Sequence, residues 1–175
     1  MKLSVIIPIY NEINTLEEII NRVQKTNLAD EIVLVDDGST DGTRELVKDY
    51  EGREGFTVLL QERNQGKGAA VRKGFQAASG DVFLIQDADL EYDPQEYPKL
   101  LEPIENGLAE VVYGSRFLGA SRRVAMFWHM IANKILTLFT NILYDTILSD
   151  METGYKVFKR EVVKEMPLHA NLSEK

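Results

Sequence analysis

Five short apolar runs, spaced by amphipathic stretches, restrict this chain to a layered fold: LSVIIPI (Leu3–Ile9), EIVLVDD (Glu31–Asp37), TVLLQE (Thr57–Glu62), DVFLIQD (Asp81–Asp87) and EVVYGS (Glu110–Ser115). Each is rich in Val, Ile and Leu, short, and bounded by turn residues, as buried strands of a mainly parallel sheet are. The stretches between them carry helical periodicity. Asn14 stands before Leu16, Ile19, Ile20 and Val23, with Glu17 three residues on as a capping-box partner. DGTRELVKDY (Asp41–Tyr50) and GAAVRKGFQAA (Gly68–Ala78) supply two more helices, and PQEYPKLLEPI opens with Pro94 at a first helical position. Alternation of this kind implies right-handed βαβ units and an α/β domain. A length of 175 residues, 44% of them hydrophobic, supports one such domain over 1–175.

In open α/β sheets, ligands bind beyond the carboxyl ends of the strands. Three informative stretches fall there: PIYNE (Pro8–Glu12), DDGSTDGT (Asp36–Thr43) and QDADLE (Gln86–Glu91). Although distant in sequence, they are expected to converge on one rim.

The last of these runs into a dense acidic cluster, Asp87, Asp89, Glu91 and Asp93. An EF-hand loop starting at Asp87 needs Gly at its sixth position and Glu at its twelfth, where Tyr92 and Pro98 stand. A loop starting at Asp37 fails at its twelfth residue, Lys48. A solvated acidic turn is possible, but it explains poorly why carboxylates follow a buried strand directly. The third reading is a hard divalent cation, Mg²⁺ or Mn²⁺, held by a few carboxylates and completed by substrate phosphates. If the segment stays extended, Asp87, Asp89 and Glu91 share one side.

RNQGKGAAVRKG (Arg63–Gly74) fits neither G-x-x-x-x-G-K-[ST] nor a G-x-G-x-x-G after the first strand. Glycines at a helix start beside Lys67 and Arg72 still place positive charge where a diphosphate could sit. Arg63 and Lys73 fit a solvated turn at least as well.

Charge separates two regions. The net charge of −8 argues against wholesale nucleic-acid binding, yet 111–144 holds no Asp or Glu and includes Arg116, Arg122, Arg123 and Lys134. Val124–Leu148 is largely apolar, but His129, Asn133, Lys134, Asn141 and Asp145 interrupt it, which suits a spanning helix poorly. A helix in the bilayer interface and an ordinary core-packing helix both fit this pattern. The absence of cysteine excludes disulfides, thiolate zinc sites and cysteine nucleophiles. The first residues lead straight into a strand, so no signal peptide is expected.

VIIPIYNE, IVLVDDGSTDGT, N-QGKGAAVRKG, DADLEYDP, YGSRF and DMETGYKVFKREV, taken in order, resemble family-2 glycosyltransferases of the GT-A fold. The resemblance covers nearly the whole chain and is greatest to the dolichyl-phosphate mannose synthase and polyprenyl-phosphate glucosyltransferase branch. It implies a Rossmann-like, mainly parallel sheet flanked by helices, followed by an amphipathic helical segment. It also implies that Pro8, Tyr10, Glu12, Val35 and Asp37 line the base and ribose of a nucleotide sugar. Asp87 and Ala88 would lie against ribose and diphosphate, and Asp89 and Glu91 would ligate the metal. Tyr10 has a rival role as core filler, and Asp36 fits a turn cap while Asp37 touches ligand. Arg116 would face the donor diphosphate and an incoming lipid phosphate. Asp150 corresponds to the candidate base, although a phosphate monoester, largely dianionic at neutral pH with a second pKa near ~6, needs little deprotonation. Asp150 is then an orienting group, a judgement that an alcohol acceptor would reverse.

What the resemblance implies is metal-dependent, inverting transfer of a hexose from UDP-glucose or GDP-mannose to a polyprenyl or dolichyl phosphate. Residues 1–118 would form the nucleotide-sugar core and 119–175 an acceptor- and membrane-facing part, peripheral at the cytoplasmic face. The resemblance favours the interfacial reading of Val124–Leu148. Family members usually continue further, so a C-terminally truncated chain is expected. Transfer to a glycan hydroxyl and a non-catalytic nucleotide-sugar-binding domain remain alternatives, and no residue chooses the sugar, the base or an oligomeric state.

Overall fold

A computed structural model describes residues 1–114 and 155–166, together with Ile135 and Phe139. Six strands form one sheet: β1 (Leu3–Ile9), β2 (Glu31–Asp36), β3 (Phe56–Leu60), β4 (Val82–Ile85), β5 (Val111–Gly114) and β6 (Tyr155–Lys159). Their spatial order is β3-β2-β1-β4-β6-β5. β3, β2, β1 and β4 pair in parallel, whereas β6 lies antiparallel between β4 and β5. This is the mainly parallel α/β architecture expected from the strand–helix alternation.

Burial explains why the central strands read as continuous apolar runs. Every residue of β1, β2 and β4 is buried, because helices cover both faces. The period of two is hidden inside those runs. Leu3, Val5, Ile7 and Ile9 join Ile32, Leu34 and Leu84 on one face. There they meet helix α1 (Leu16–Lys25) through Leu16, Ile19, Ile20 and Val23, α2 (Thr43–Lys48) through Val47, and α4 (Tyr97–Glu105) through Tyr97, Leu100, Leu101 and Ile104. Ile6, Val33, Val35, Phe83 and Ile85 face the other way, onto α3 (Lys67–Ala77) and Val163 of α5 (Arg160–Glu165). α3 approaches closely because Gly74 carries no side chain; a Cβ there would overlap Ile6 Cγ2.

At the amino ends of the strands a buried carboxylate ties the layers together. Glu31 accepts from Ser4 Oγ at 2.5 Å, Ser79 N at 2.7 Å, Ser79 Oγ at 3.0 Å and Thr57 Oγ1 at 3.1 Å. Burial alone would raise its pKa, but these hydrogen bonds outweigh burial and hold it below the ordinary value.

Two expectations need correction. The cap of α1 is Thr15, not Asn14 with a Glu17 capping box, and Thr15 gives its hydroxyl to Glu12 Oε2 at 2.6 Å. The second concerns 155–159, a stretch left out of the five expected strands: it is a core strand, with Tyr155, Val157 and Phe158 buried. Pro94 does open a helical turn, Pro94–Glu96, capped by the Asp93 side chain.

The topology fixes where a ligand fits. The chain builds outward from β1 through β2 to β3, then α3 carries it back across the opposite face to β4, on β1's other side. The order reverses between β1 and β4, and the crevice beyond their carboxyl ends is the expected binding place.

Candidate functional site

The three strand-end stretches do converge. A cleft of about 280 Å³ opens at the switch point, and its walls are Pro8, Ile9, Tyr10 and Glu12 after β1, Asp37 after β2, and Asp87, Ala88 and Asp89 after β4. Asn64, Gly66, Lys67 and Ala70 close it from the loop before α3 and from α3 itself.

Loops after β1 and β2 are stitched into a firm rim. The N–H of Asn11 donates to Ser39 Oγ at 3.0 Å, that of Thr40 to Asn11 Oδ1 at 2.9 Å, and that of Glu12 to Thr43 Oγ1 at 2.9 Å. Asn11 adopts φ 55°, a left-handed turn that its short polar side chain tolerates. Tyr10 is 46% exposed at the cleft mouth, which disposes of a core-filling role for it.

The neighbouring aspartates divide their work. Asp36 is fully buried; its Oδ1 accepts from Ser39 N at 3.2 Å, and its Oδ2 faces Arg44 at 3.5 Å, an ion pair without a hydrogen bond. It holds the turn, as the sequence suggests. Asp37 faces the cleft, but its carboxylate also organises the opposite wall. Oδ1 accepts from Gln61 Nε2 and Gln65 N, both at 2.8 Å, and Oδ2 accepts from Gly66 N at 2.8 Å. One carboxylate therefore sets the loop that delivers Lys67.

Lys67 forms an ion pair with Asp87 across the cleft. Asp89 is half-buried, and the charged groups of the described residues that act on it are carboxylates. Burial raises its pKa most; Asp87, Glu91 and Glu12 add to the rise, against a lowering hydrogen bond from Glu91 N at 2.9 Å. Glu12, 77 positions away in sequence, thus contributes to one negative field with the β4 carboxylates.

Two expected site residues sit elsewhere. Val35 is fully buried in the core under α3 and does not line the cleft. Glu91 is exposed and outside the lining, because the segment does not stay extended: the Glu91 N–H turns back onto Asp89. Arg116, Arg122, Arg123, Asp150 and most of Val124–Leu148 lie outside the described residues. Asn64, Gly66 and Ala70 were not anticipated as lining; only their neighbourhood to Lys67 hinted at it.

Among the described residues, no three His, Cys, Asp or Glu side chains form a ready-made metal cage. The donor set nevertheless suits a hard cation that brings part of its shell with it, since Asp89 lies in an acidic field and Asp87 stands two residues away. A divalent cation with diphosphate oxygens would complete what the protein leaves open.

Residues 4–166 match the glycosyl transferase family 2 profile. This chain belongs to that family. It is 36% identical over 174 residues to a dolichol-phosphate mannosyltransferase of Pyrococcus furiosus, covering 97% of this chain and 49% of the relative. It is 33% identical over 169 residues to an undecaprenyl-phosphate 4-deoxy-4-formamido-L-arabinose transferase of Pseudomonas savastanoi pv. phaseolicola, covering 93% and 49%. The chain spans about half the length of the curated relatives it matches. Among solved structures, glucosyl-3-phosphoglycerate synthase from Mycobacterium tuberculosis in complex with Mn²⁺, UDP and glucosyl-3-phosphoglycerate superposes with a TM-score of 0.69, 26% identity, and coverage of 92% of this chain and 57% of that one. No helix among the described residues is long and apolar enough to cross a membrane.

Proposed function

We propose that this family 2 member transfers a hexose from a nucleotide sugar to a polyprenyl or dolichyl phosphate, with a divalent cation, and with inversion at the sugar carbon. The observation that carries the reading is Asp89: a half-buried carboxylate whose pKa is raised by burial and by Asp87, Glu91 and Glu12, at the rim of a switch-point cleft. Acidic groups gathered at such a place suit a cation that a diphosphate shares.

Tyr10, Pro8, Glu12 and Asp37 would receive base and ribose. Glu12 and Asp37 each retain acceptor capacity beyond the bonds they already make, which suits sugar and base donors. Ala88, small and buried, leaves room for the donor to lie against the backbone. Asp89 would hold Mg²⁺ or Mn²⁺, with Asp87 beside it, while Glu91, outside the lining, adds to the negative field around them. A bound divalent cation supplies charge neutralisation for the departing diphosphate. Lys67, already at the cleft, is placed to turn from Asp87 to a phosphate oxygen. Arg116 would meet both the donor diphosphate and the lipid phosphate, and Asp150 would orient the acceptor.

Polyprenyl phosphate is favoured because the relatives named for prenyl-phosphate transfer match nearly the whole of this chain. Ile135 and Phe139, each helical and 50% and 60% exposed, support apolar side chains turned toward a membrane surface. In this reading residues 1–118 serve the donor and 119–175 the acceptor, at the cytoplasmic face of the bilayer.

The test is a transfer assay on the protein with UDP-glucose and GDP-mannose, Mn²⁺, and either a polyprenyl phosphate or an oligosaccharide. Mannosyl or glucosyl lipid formed only with cation present is the expected product. Glycan product without lipid product would replace the acceptor, and donor binding without any product would leave a binding domain.

A further inference from the structure

Gln86 is an amide with no solvent exposure, directly after an otherwise apolar β4. Its backbone N–H continues the β1–β4 ladder by donating to the Ile6 carbonyl at 3.0 Å. Nε2 donates to the carbonyl of Asp87 at 3.0 Å, while Oε1 accepts from the hydroxyls of Tyr97 at 2.8 Å and Tyr155 at 3.0 Å. This network admits one orientation of the amide. A backbone carbonyl only accepts, so it must face the NH₂ group, and the oxygen then takes both phenol protons. Both phenols keep those protons, because burial pushes each well up from the ordinary tyrosine range.

Three elements remote in sequence thus meet on one side chain: the end of β4, the start of α4 and the start of β6. The Tyr155 ring adds a second hold, packing against Tyr92 at 4.9 Å and edge-on against Tyr97 at 5.8 Å. The 87–92 segment is therefore gripped at both ends, through the Asp87 carbonyl and the Tyr92 ring. A buried amide is costly unless every polar atom is met, and an aliphatic side chain would fill the space more simply.

We infer that Gln86 is a positioning residue: through the Asp87 carbonyl it sets where the Asp87 and Asp89 carboxylates stand over the cleft, with Tyr97 and Tyr155 as its clamps. The inference rests on the cation and diphosphate reading of that rim and adds to it a residue that touches neither group.

Mn²⁺ titration of the full chain, followed by electron paramagnetic resonance with and without inorganic pyrophosphate, tests it. The unsubstituted chain is expected to bind. Gln86→Leu should keep a native near-ultraviolet dichroism spectrum, lose Mn²⁺ affinity about tenfold, and broaden the bound signal as ligand geometry loosens. Tyr155→Phe, which removes one hydroxyl, should lose about threefold. In an Asp89→Asn background the Gln86→Leu loss should shrink to about twofold, since both changes act on the same carboxylate. Unchanged affinity and line shape in Gln86→Leu, or a full loss that persists beside Asp89→Asn, would overturn the inference. If Gln86→Leu does not fold, Tyr155→Phe decides alone, and unchanged affinity there overturns it. Absence of Mn²⁺ binding by the unsubstituted chain would sink the cation reading and this inference together, before any substitution is made.

Discussion

Lys67, at the start of α3, pairs its ammonium with the carboxylate of Asp87, just beyond the end of β4, and so bridges the two walls of the cleft. The pair is displayed to solvent, with the Lys67 side chain 56% exposed, and such pairs contribute little to stability. Its position suits exchange: the same ammonium can leave Asp87 when a diphosphate and its cation arrive.

That exchange makes opposite predictions for two ligands. Lys67→Met should strengthen binding of Mn²⁺ alone roughly fivefold, as removal of a charge worth about 1 kcal/mol nearby in a solvated site implies. It should weaken binding of the nucleoside diphosphate by a similar factor. Calorimetry with each ligand separately measures both signs, and a loss for both would place Lys67 in a purely structural role.

Asp89 supplies a pH prediction. Burial and three neighbouring carboxylates favour its protonated form, so the folded chain holds that proton more tightly than the unfolded chain does. The resulting stabilisation is complete at low pH and is lost as pH rises through the raised value. Asp89→Asn keeps an acceptor for the Glu91 N–H but carries no charge. In EDTA at neutral pH it should melt a few degrees higher than the unsubstituted chain while its Mn²⁺ affinity is weakened; scanning calorimetry with and without Mn²⁺ checks both. For the unsubstituted chain, Mn²⁺ affinity should increase with pH across the same window, because cation and proton compete.

Glu31 behaves in the opposite sense at the far end of the sheet. Hydrogen bonds from Ser4, Ser79 and Thr57 outweigh burial and hold its folded pKa below the unfolded value. The stability it contributes is present above the unfolded value and is lost as pH falls through the folded one. Glu31→Gln should therefore flatten the acid limb of the stability curve and cost roughly 1–3 kcal/mol at pH 7, the range for leaving buried partners poorly matched. Urea melts at pH 3 and pH 7 compare the two chains directly.

The sequence carried the parallel core because helices cover both of its faces, and that leaves unmistakable apolar runs in β1, β2 and β4. The same uniformity hid which residue faces which layer, so nothing in the run spoke against Val35, which the family resemblance put at the site while it packs under α3. Glu91 could not be placed because a hydrogen bond from its own N–H to Asp89 bends the segment, a local competition that alternation ignores. β6 escaped notice because its lysines mask a short strand whose place between β4 and β5 is settled only by long-range pairing. Gln86 left one trace, a single amide closing an apolar run, and its two phenol partners lie 11 and 69 positions away.

Gly38 offers the sharpest test of how the donor rim is held. It sits at φ +77°, and a Cβ there would stand 2.6 Å from Arg63 C and Asn64 N, which are backbone atoms unable to swing aside. Both penalties fall on the junction between the β2 loop and the loop that Asp37 anchors through Gln65 and Gly66. Gly38→Ala should lose roughly 2–4 kcal/mol, combining a disfavoured backbone conformation with overpacking. The displaced loop should also carry Lys67 away from Asp87 and weaken nucleoside diphosphate binding beyond what the loss of Lys67 alone produces. Gly52, also at positive φ but with open space around it, is the control: Gly52→Ala should show only the smaller conformational cost and leave ligand binding intact. Equal effects at the two positions would mean that backbone strain, and not the packing of these two loops, sets the geometry of the rim.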